Sequence, residues 1–258
     1  MNNRLSNTLN SIHRDKLVGH RGLMLSHPEN TLSALKAAID RGARFIECDL
    51  QLTKDQQPVV LHDATLTRTA AVDSHIFDLT LAEAQAISVH YPEKFGDKYH
   101  PEPIPSLNQF LTLLAEHPTV TAMIEIKQES IDHFNLETFI NGVFAQISAY
   151  QSQVIVISFN ADAVGAAKQA GFRSGWVVRE MNQSSEQLAK QLLPDYLITN
   201  ILKVDFKSPA LLTQLWRAPE GHNWQWMLYD VTDVSLIKSL LGRGVDLIES
   251  GDFPLISC

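Results

Sequence analysis

Short apolar runs recur along the chain, and between most of them lie longer stretches in which apolar residues return every three or four positions. Short runs bounded by turn formers fit buried strands, and the longer period fits helices packed along one face. The strand candidates are KLVGH (16–20), RFIECDL (44–50), PVVLH (58–62), TAMIEIK (121–127), VIVISF (154–159), SGWVV (174–178), YLIT (196–199), QWMLY (225–229) and DLIE (246–249). Helical patterns occupy 30–41, 106–117, 134–150, 161–170, 184–193, 209–217 and 233–242. Thr31 and Ser106 stand where N-caps belong, and Thr80 with Glu83 makes a capping box. Gly42, Gly171 and Gly244 fall just beyond helices, where a left-handed cap is favoured.

Repeated strand-then-helix units predict an α/β fold with a parallel sheet. Nine strand candidates are one too many for a (β/α)8 TIM barrel, and the pair 44–50 and 58–62 explains the surplus. The linker TKDQQ (53–57) is far too short for a parallel crossover, so these two form an antiparallel hairpin. A two-residue turn at Asp55-Gln56 would set Asp49 opposite His62. The second arm then stands above the barrel, eight staves remain, and 63–105 is an insertion after strand 2 with one helix at 80–88. The 258 residues match one barrel of about 250, so a single catalytic domain over 1–258 is expected.

Composition narrows the function classes. With 45% hydrophobic and 19% charged residues the chain is neither disordered nor fibrous. A net charge of −8 without a basic stripe argues against a nucleic-acid partner. No stretch approaches the ~20 apolar residues of an integral membrane segment. Residues 1–15 lack the apolar run of a signal peptide, and Cys48 and Cys258 are too few for a disulfide framework, so a cytoplasmic protein is expected. The oligomeric state is left open.

In such a barrel the reacting groups gather at the C-terminal ends of the strands. There the chain places His20-Arg21-Gly22, then Glu47 and Asp49, His62-Asp63, Glu125-Ile126-Lys127, and Ser158-Phe159. Glu47 and Asp49 are two apart on a strand and share one face, with Cys48 on the other. Inward carboxylates repel and lose solvation unless a cation joins them, and Glu125 on the adjacent strand supplies a third. Three convergent carboxylates form an all-oxygen site suited to Mg²⁺ or Ca²⁺. His20 and His62 are the general acid/base candidates. Using both as zinc ligands would leave no proton donor, which ranks that reading lower. Arg21 and Lys127 bring fixed positive charge to the same rim, as a phosphate ester requires. His13, His75, His117, His133 and His222 are read as structural or solvated, and His90 and His100 lie in the insertion.

Together these residues resemble a known family. HRG-x₆-ENT (His20 to Thr31), E-x-D (Glu47, Asp49), V-V-x-H-D-x-T-L-x-R-T (Val59 to Thr69), I-P-S-L (Ile104 to Leu107) and E-I-K (Glu125 to Lys127) look like the glycerophosphodiester phosphodiesterases. The resemblance runs from about Leu17 to Pro254. It implies a TIM barrel that hydrolyses small glycerophosphodiesters to sn-glycerol 3-phosphate and an alcohol with Mg²⁺ or Ca²⁺. It implies His20 and His62 as the acid/base pair, Glu47, Asp49 and Glu125 as metal ligands, and Arg21 and Lys127 on the phosphate. The C-terminal half departs from the family pattern. Where W-T-V-N-D is common, the chain reads Trp226-Met227-Leu228-Tyr229-Asp230, and the closing T-D-x-P region is Ser250-Gly251-Asp252-Phe253-Pro254. Trp226 is expected to pack on the substrate's glycerol or alcohol group, with filling of the barrel core as the competing reading.

The expected reaction has one histidine deprotonating the nucleophile, either the glycerol 2-hydroxyl or water, and the other protonating the leaving alkoxide. Alternatives are a lysophospholipase D-type or phosphoinositide-type phosphodiesterase, with Tyr91, Phe95 and Tyr99 as a lipid-seeking rim, and a non-catalytic phosphodiester-binding module. A nuclease is disfavoured by the charge.

Overall fold

Nine strands form one sheet in the computed structural model, which describes residues 14–252. They are β1 (Leu17–Gly19), β2 (Phe45–Leu52), β3 (Pro58–Val60), β4 (Thr121–Ile126), β5 (Val154–Ser158), β6 (Arg173–Val177), β7 (Tyr196–Asn200), β8 (Gln225–Tyr229) and β9 (Leu247–Ser250). All except β3 are parallel to their neighbours, and β1 pairs with both β9 and β2, which closes an eight-stranded barrel. Readings that rest on His13, Phe253, Pro254 or Cys258, or on most of the N-terminal polar segment, lie outside the described residues.

β3 lies antiparallel to the upper end of β2, as the short linker demands, but one residue out of the expected register. Leu50 faces Val60 and Leu52 faces Pro58, so Asp49 lies beside Leu61, whose N–H donates to the Asp49 carbonyl at 3.0 Å. The cause is the turn. Thr53 and Gln57 bond each other across a three-residue loop, and Gln56 adopts a left-handed φ of 57°. A type I turn closed by one left-handed residue is the usual three-residue hairpin. His62 nevertheless remains beside β2, because the Gln51 amide donates to its carbonyl at 2.9 Å.

Strand alternation divides the apolar residues into two layers. Val18, Met123, Ile155, Val177, Ile198 and Met227 fill the barrel interior. Ile46, Cys48, Leu50, Ile124, Val156 and Leu228 face outward against the helices. Burying one such side chain contributes about 1.5–3 kcal/mol, so this double layer is the main source of stability.

The helix-forming segments obey their caps. Thr31 accepts from the Ala34 N–H ahead of Leu32–Asp40, and Ser106 closes a capping box with Gln109 ahead of Leu107–Ala115. Gly42, Gly171 and Gly244 all have positive φ. Helices also form at Leu136–Ile147, Ala161–Gln169, Gln183–Leu192 and Val234–Gly242, whereas the pattern at 209–217 yields one turn, Leu211–Gln214. Gln128–Phe134 is a helix that the periodicity misses, because it is anchored through a polar residue. Ser130, fully buried, donates to the Gln51 side chain and accepts from the Leu52 N–H.

The segment 63–105 carries its own apolar cluster, in which Leu66, Ile76, Phe77, Ala84, Val89 and Ile104 pack with Val59 and Leu61. Thr80 and Glu83 cap a helix there, but it spans only Leu81–Gln85 rather than 80–88. Among the described residues no helix is long and apolar enough to cross a membrane.

Candidate active site

The left-handed turn that follows β1 builds the first wall of the site. Arg21 (φ 51°) and Gly22 (φ 78°) reverse the chain, and the Arg21 N–H donates to Glu47 Oε2 at 2.9 Å. At Gly22 a Cβ would run into the Ala34 carbonyl group, so glycine is needed both for its φ and for the close approach. The turn brings the ENT segment over β2. There the Asn30 amide donates to Asp49 Oδ2 at 2.8 Å, and the Asp49 N–H donates to Asn30 Oδ1 at 3.1 Å.

Glu47 and Asp49 point inward from β2, and Glu125 points inward from the adjacent position on β4, level with Asp49. Each is at most 8% exposed. One oxygen of each can be chosen so that all lie within 4.8 Å of one another. Two cations are ion-paired to them. Lys127 Nζ lies 3.1 Å from Glu125 Oε1 and 3.4 Å from Asp49 Oδ1, and Arg21 Nε lies 3.3 Å from Asp49 Oδ2. These contacts are too poorly aligned to satisfy the buried Glu125 Oε1 and Arg21 Nε, which have no hydrogen-bond partner. An all-oxygen set with an unsatisfied buried carboxylate oxygen fits a hard divalent cation.

The electrostatics divide the carboxylates. Burial opposes ionisation of Asp49, yet Lys127 and Arg21 outweigh it and hold the carboxyl well below the usual range. Burial and the Asp49 charge push Glu125 up to about 6. Glu47 is also raised well above the usual carboxylate range, through burial and the neighbouring Asp49 and Glu249.

The two histidines face one cavity of about 220 Å³, which Arg21, Lys127 and the three carboxylates also line. Each ring has a carboxylate at Nδ1: Asp63 Oδ1 lies 2.6 Å from that of His62, and Asp230 Oδ1 lies 3.6 Å from that of His20. A carboxylate accepts only, so His62 Nδ1 carries the proton and Nε2 is the nitrogen left to exchange one. Burial, and then the Arg21 charge, lower His20 to about 3, so its ring is neutral across the working range. Asp63 and Glu29 are joined through Arg68, which donates from Nε to Asp63 and from both terminal nitrogens to Glu29 at 2.6–2.7 Å. Glu29 also accepts from Arg21 at 2.8 Å.

Trp226 is not brought to this cavity. It sits near the start of β8 with its side chain outward, in the layer beneath the helices, and its indole N–H donates to the Trp216 carbonyl at 3.1 Å. Alternation decides this: Met227 and Tyr229 point inward, so Trp226 and Leu228 cannot. Tyr229, the last residue of β8 and on the inward row, lines the cavity in its place. Burial and the Asp230 charge push its hydroxyl up to about 12.

Glu249 is the residue that the sequence reading overlooked. It points inward from β9, is 4% exposed, and lines the same cavity. Its signal was present, an acidic residue at the end of an apolar strand run, as at Glu47 and Glu125. His90 and His100 stack edge to face on each other at 4.8 Å, away from the cavity lining. His75 and His133 pack on Phe77, and His222 bonds the Pro194 carbonyl.

Comparison with known proteins follows the same lines. The Caldanaerobacter subterraneus subsp. tengcongensis glycerophosphodiester phosphodiesterase is 35% identical over 144 residues, 56% of this chain and 58% of that protein. The Bacillus altitudinis glycerophosphodiester phosphodiesterase is 32% identical over 135 residues, 47% of this chain and 54% of that protein. The chain thus spans little more than half the length of these curated relatives. Among solved structures, an Oleispira antarctica phosphodiesterase in complex with the product sn-glycerol-3-phosphate superposes with a TM-score of 0.78 at 24% identity, covering 92% of each chain. The Thermotoga maritima glycerophosphodiester phosphodiesterase gives 0.72 at 22% identity over 93% of this chain and 96% of its own. At those identities the fold is what is shared. Residues 20–254 match the model of the glycerophosphoryl diester phosphodiesterase family, and the chain belongs to that family.

Proposed function

We propose that the protein hydrolyses small glycerophosphodiesters to sn-glycerol 3-phosphate and an alcohol, using a divalent metal and histidine acid/base catalysis. The observation that supports it most is the convergence of His20 and His62 with Glu47, Asp49, Glu125, Arg21 and Lys127 on one cavity at the strand ends. Glu47, Asp49 and Glu125 would hold Mg²⁺ or Ca²⁺, whose contribution is Lewis-acid neutralisation of phosphoryl oxygens. Arg21 and Lys127 add fixed charge for the diester and its transition state. His20, kept neutral by burial, has a nitrogen lone pair open to the proton of the nucleophile, and the same burial makes it a weak base. His62, with Nδ1 committed to Asp63, presents Nε2 to donate a proton to the leaving alkoxide.

A water-soluble substrate suits the cavity better than a lysolipid. Its volume of about 220 Å³ lies below the roughly 300–1,000 Å³ of clefts that hold larger ligands. The aromatic rim at Tyr91, Phe95 and Tyr99 also has lysine ammonium groups over all three rings.

The test is incubation with glycerophosphocholine, glycerophosphoethanolamine, glycerophosphoglycerol and lysophosphatidylcholine, each with Mg²⁺, Ca²⁺ or EDTA. Release of glycerol 3-phosphate that EDTA abolishes is the expected result. Choline release from the lysolipid alone would move the reading to a lysophospholipase D, and no turnover of any diester would reject it.

A further inference from the structure

Four buried carboxylates, not three, converge on the cavity, and among the described residues the fourth, Glu249, forms no ion pair, although the Arg21 charge acts on it. Glu249 is 4% exposed, and its Oε1 is a buried acceptor without a hydrogen-bond partner. Ligand atoms of Glu249, Glu47 and His20 lie within 4.8 Å of one another, a second such group that shares Glu47 with the Glu47–Asp49–Glu125 set. Behind His20, Asp230 Oδ1 stands 3.6 Å from Nδ1, and the Asn200 amide holds the other Asp230 oxygen at 2.9 Å. A carboxylate beside an imidazole is the kind of outer partner that orients metal-bound histidines.

Charge points the same way. The cavity lining has five carboxyl groups, Glu47, Asp49, Glu125, Asp230 and Glu249, against the two fixed cations Arg21 and Lys127. Crowding raises Glu47, Glu125 and Glu249, and with all five ionised, as ligation of a metal would favour, the excess is three negative charges. One divalent ion would leave an excess of one negative charge, which a second ion would offset.

We infer that Glu249, Glu47 and His20 form a second divalent-cation seat, bridged to the first through Glu47. Its donors are one imidazole nitrogen and two carboxylates, a set that suits Mn²⁺ or Zn²⁺ more than the all-oxygen set does. The inference rests on the hydrolase reading only for the identity of the first seat. An ion here occupies the His20 nitrogen that the reaction would use for proton transfer, so its filling opposes turnover.

Metal binding itself is the test. Metal-stripped protein is titrated with Mn²⁺ and with Ca²⁺ by calorimetry, and the Mn²⁺ form is examined by electron paramagnetic resonance. The expected result is two Mn²⁺ per chain with a spectrum broadened by coupling through Glu47, but one Ca²⁺. Glu249→Gln should bind one uncoupled Mn²⁺, and Glu249→Asp, which keeps a carboxylate, should recover the second with at least tenfold weaker affinity. A single Mn²⁺ in the unaltered protein overturns the inference, as does equal Ca²⁺ and Mn²⁺ stoichiometry, or two Mn²⁺ in Glu249→Gln. Glycerol 3-phosphate release by the same preparations separates the two ideas. Turnover in the Ca²⁺ form with only one Mn²⁺ ever bound rejects only the second seat, and two bound Mn²⁺ with no turnover even in the one-Ca²⁺ form rejects only the hydrolase.

Discussion

Asp63 Oδ1 lies 2.6 Å from His62 Nδ1, and Arg68 holds the other oxygen of that carboxylate at 2.6 Å. The His62 ring is therefore oriented from behind by a group that is itself fixed. Asp63→Asn leaves one oxygen, which Arg68 Nε would claim, and turns an NH2 donor toward His62 Nδ1, disfavouring the Nδ1–H tautomer, so kcat should fall about tenfold or more while KM changes little. Unaltered kcat would show that the pair does not position His62.

Removing either imidazole tests the acid/base roles directly. His20→Ala or His62→Ala should lower kcat by about 10²–10⁴-fold, the usual share of a proton-transfer residue. Far-UV circular dichroism should stay native, since both rings line a cavity rather than the apolar layers. Near-normal turnover in either variant would sink the assignment.

The lowered His20 also has a signature in stability. Its folded value is about 3 against an ordinary 6.5, so between these values the unfolded chain binds a proton that the folded one refuses. Stability therefore falls as pH is lowered through that window. Measured against His20→Gln, the Tm of the unaltered protein should drop on going from about pH 7 to about pH 4. Histidine nitrogen shifts in the metal-free protein should report a neutral His20 ring throughout, and a midpoint near 6.5 would contradict it.

Arg68 ties the 63–105 segment to the barrel rim, because it bonds Asp63 on one side and Glu29, which is 5% exposed, on the other. Arg68→Ala leaves Glu29 with Arg21 as its remaining cation. Because Arg68 is partly exposed, the expected cost is about 1–3 kcal/mol in urea unfolding rather than that of a fully buried pair.

Trp226 separates core from site. Trp226→Phe loses the bond to the Trp216 carbonyl and some packing, so stability should fall by about 1–3 kcal/mol. KM for the diester should not move, since the indole lies outside the cavity lining. A raised KM with unaltered stability would return Trp226 to the substrate.

Most of the barrel was legible because its signals are local. Strand runs, N-caps at Thr31 and Ser106, and glycine at the helix ends each act over a few residues, and β2 and β4 lie close to their expected bounds. The misses share a different cause. The hairpin register turned on the left-handed conformation of Gln56, which an Asp-Gln pair does not announce. The helix Gln128–Phe134 depends on Ser130 reaching Gln51 and Leu52, residues far away in sequence.

The sequence by itself determined which residue types crowd the strand ends, and hence the barrel, the paired histidines and the Glu47–Asp49–Glu125 set. Motif order and two-residue spacing were enough, because alternation along a strand is a property of the backbone. Only the tertiary structure decided which outlying residues join them. Closing the barrel put β9 beside β1 and so brought Glu249 to Glu47, and strand parity turned Trp226 outward and Tyr229 inward. Those outcomes depend on which strands become neighbours and where each pairing register falls, and both are set by packing across the whole chain.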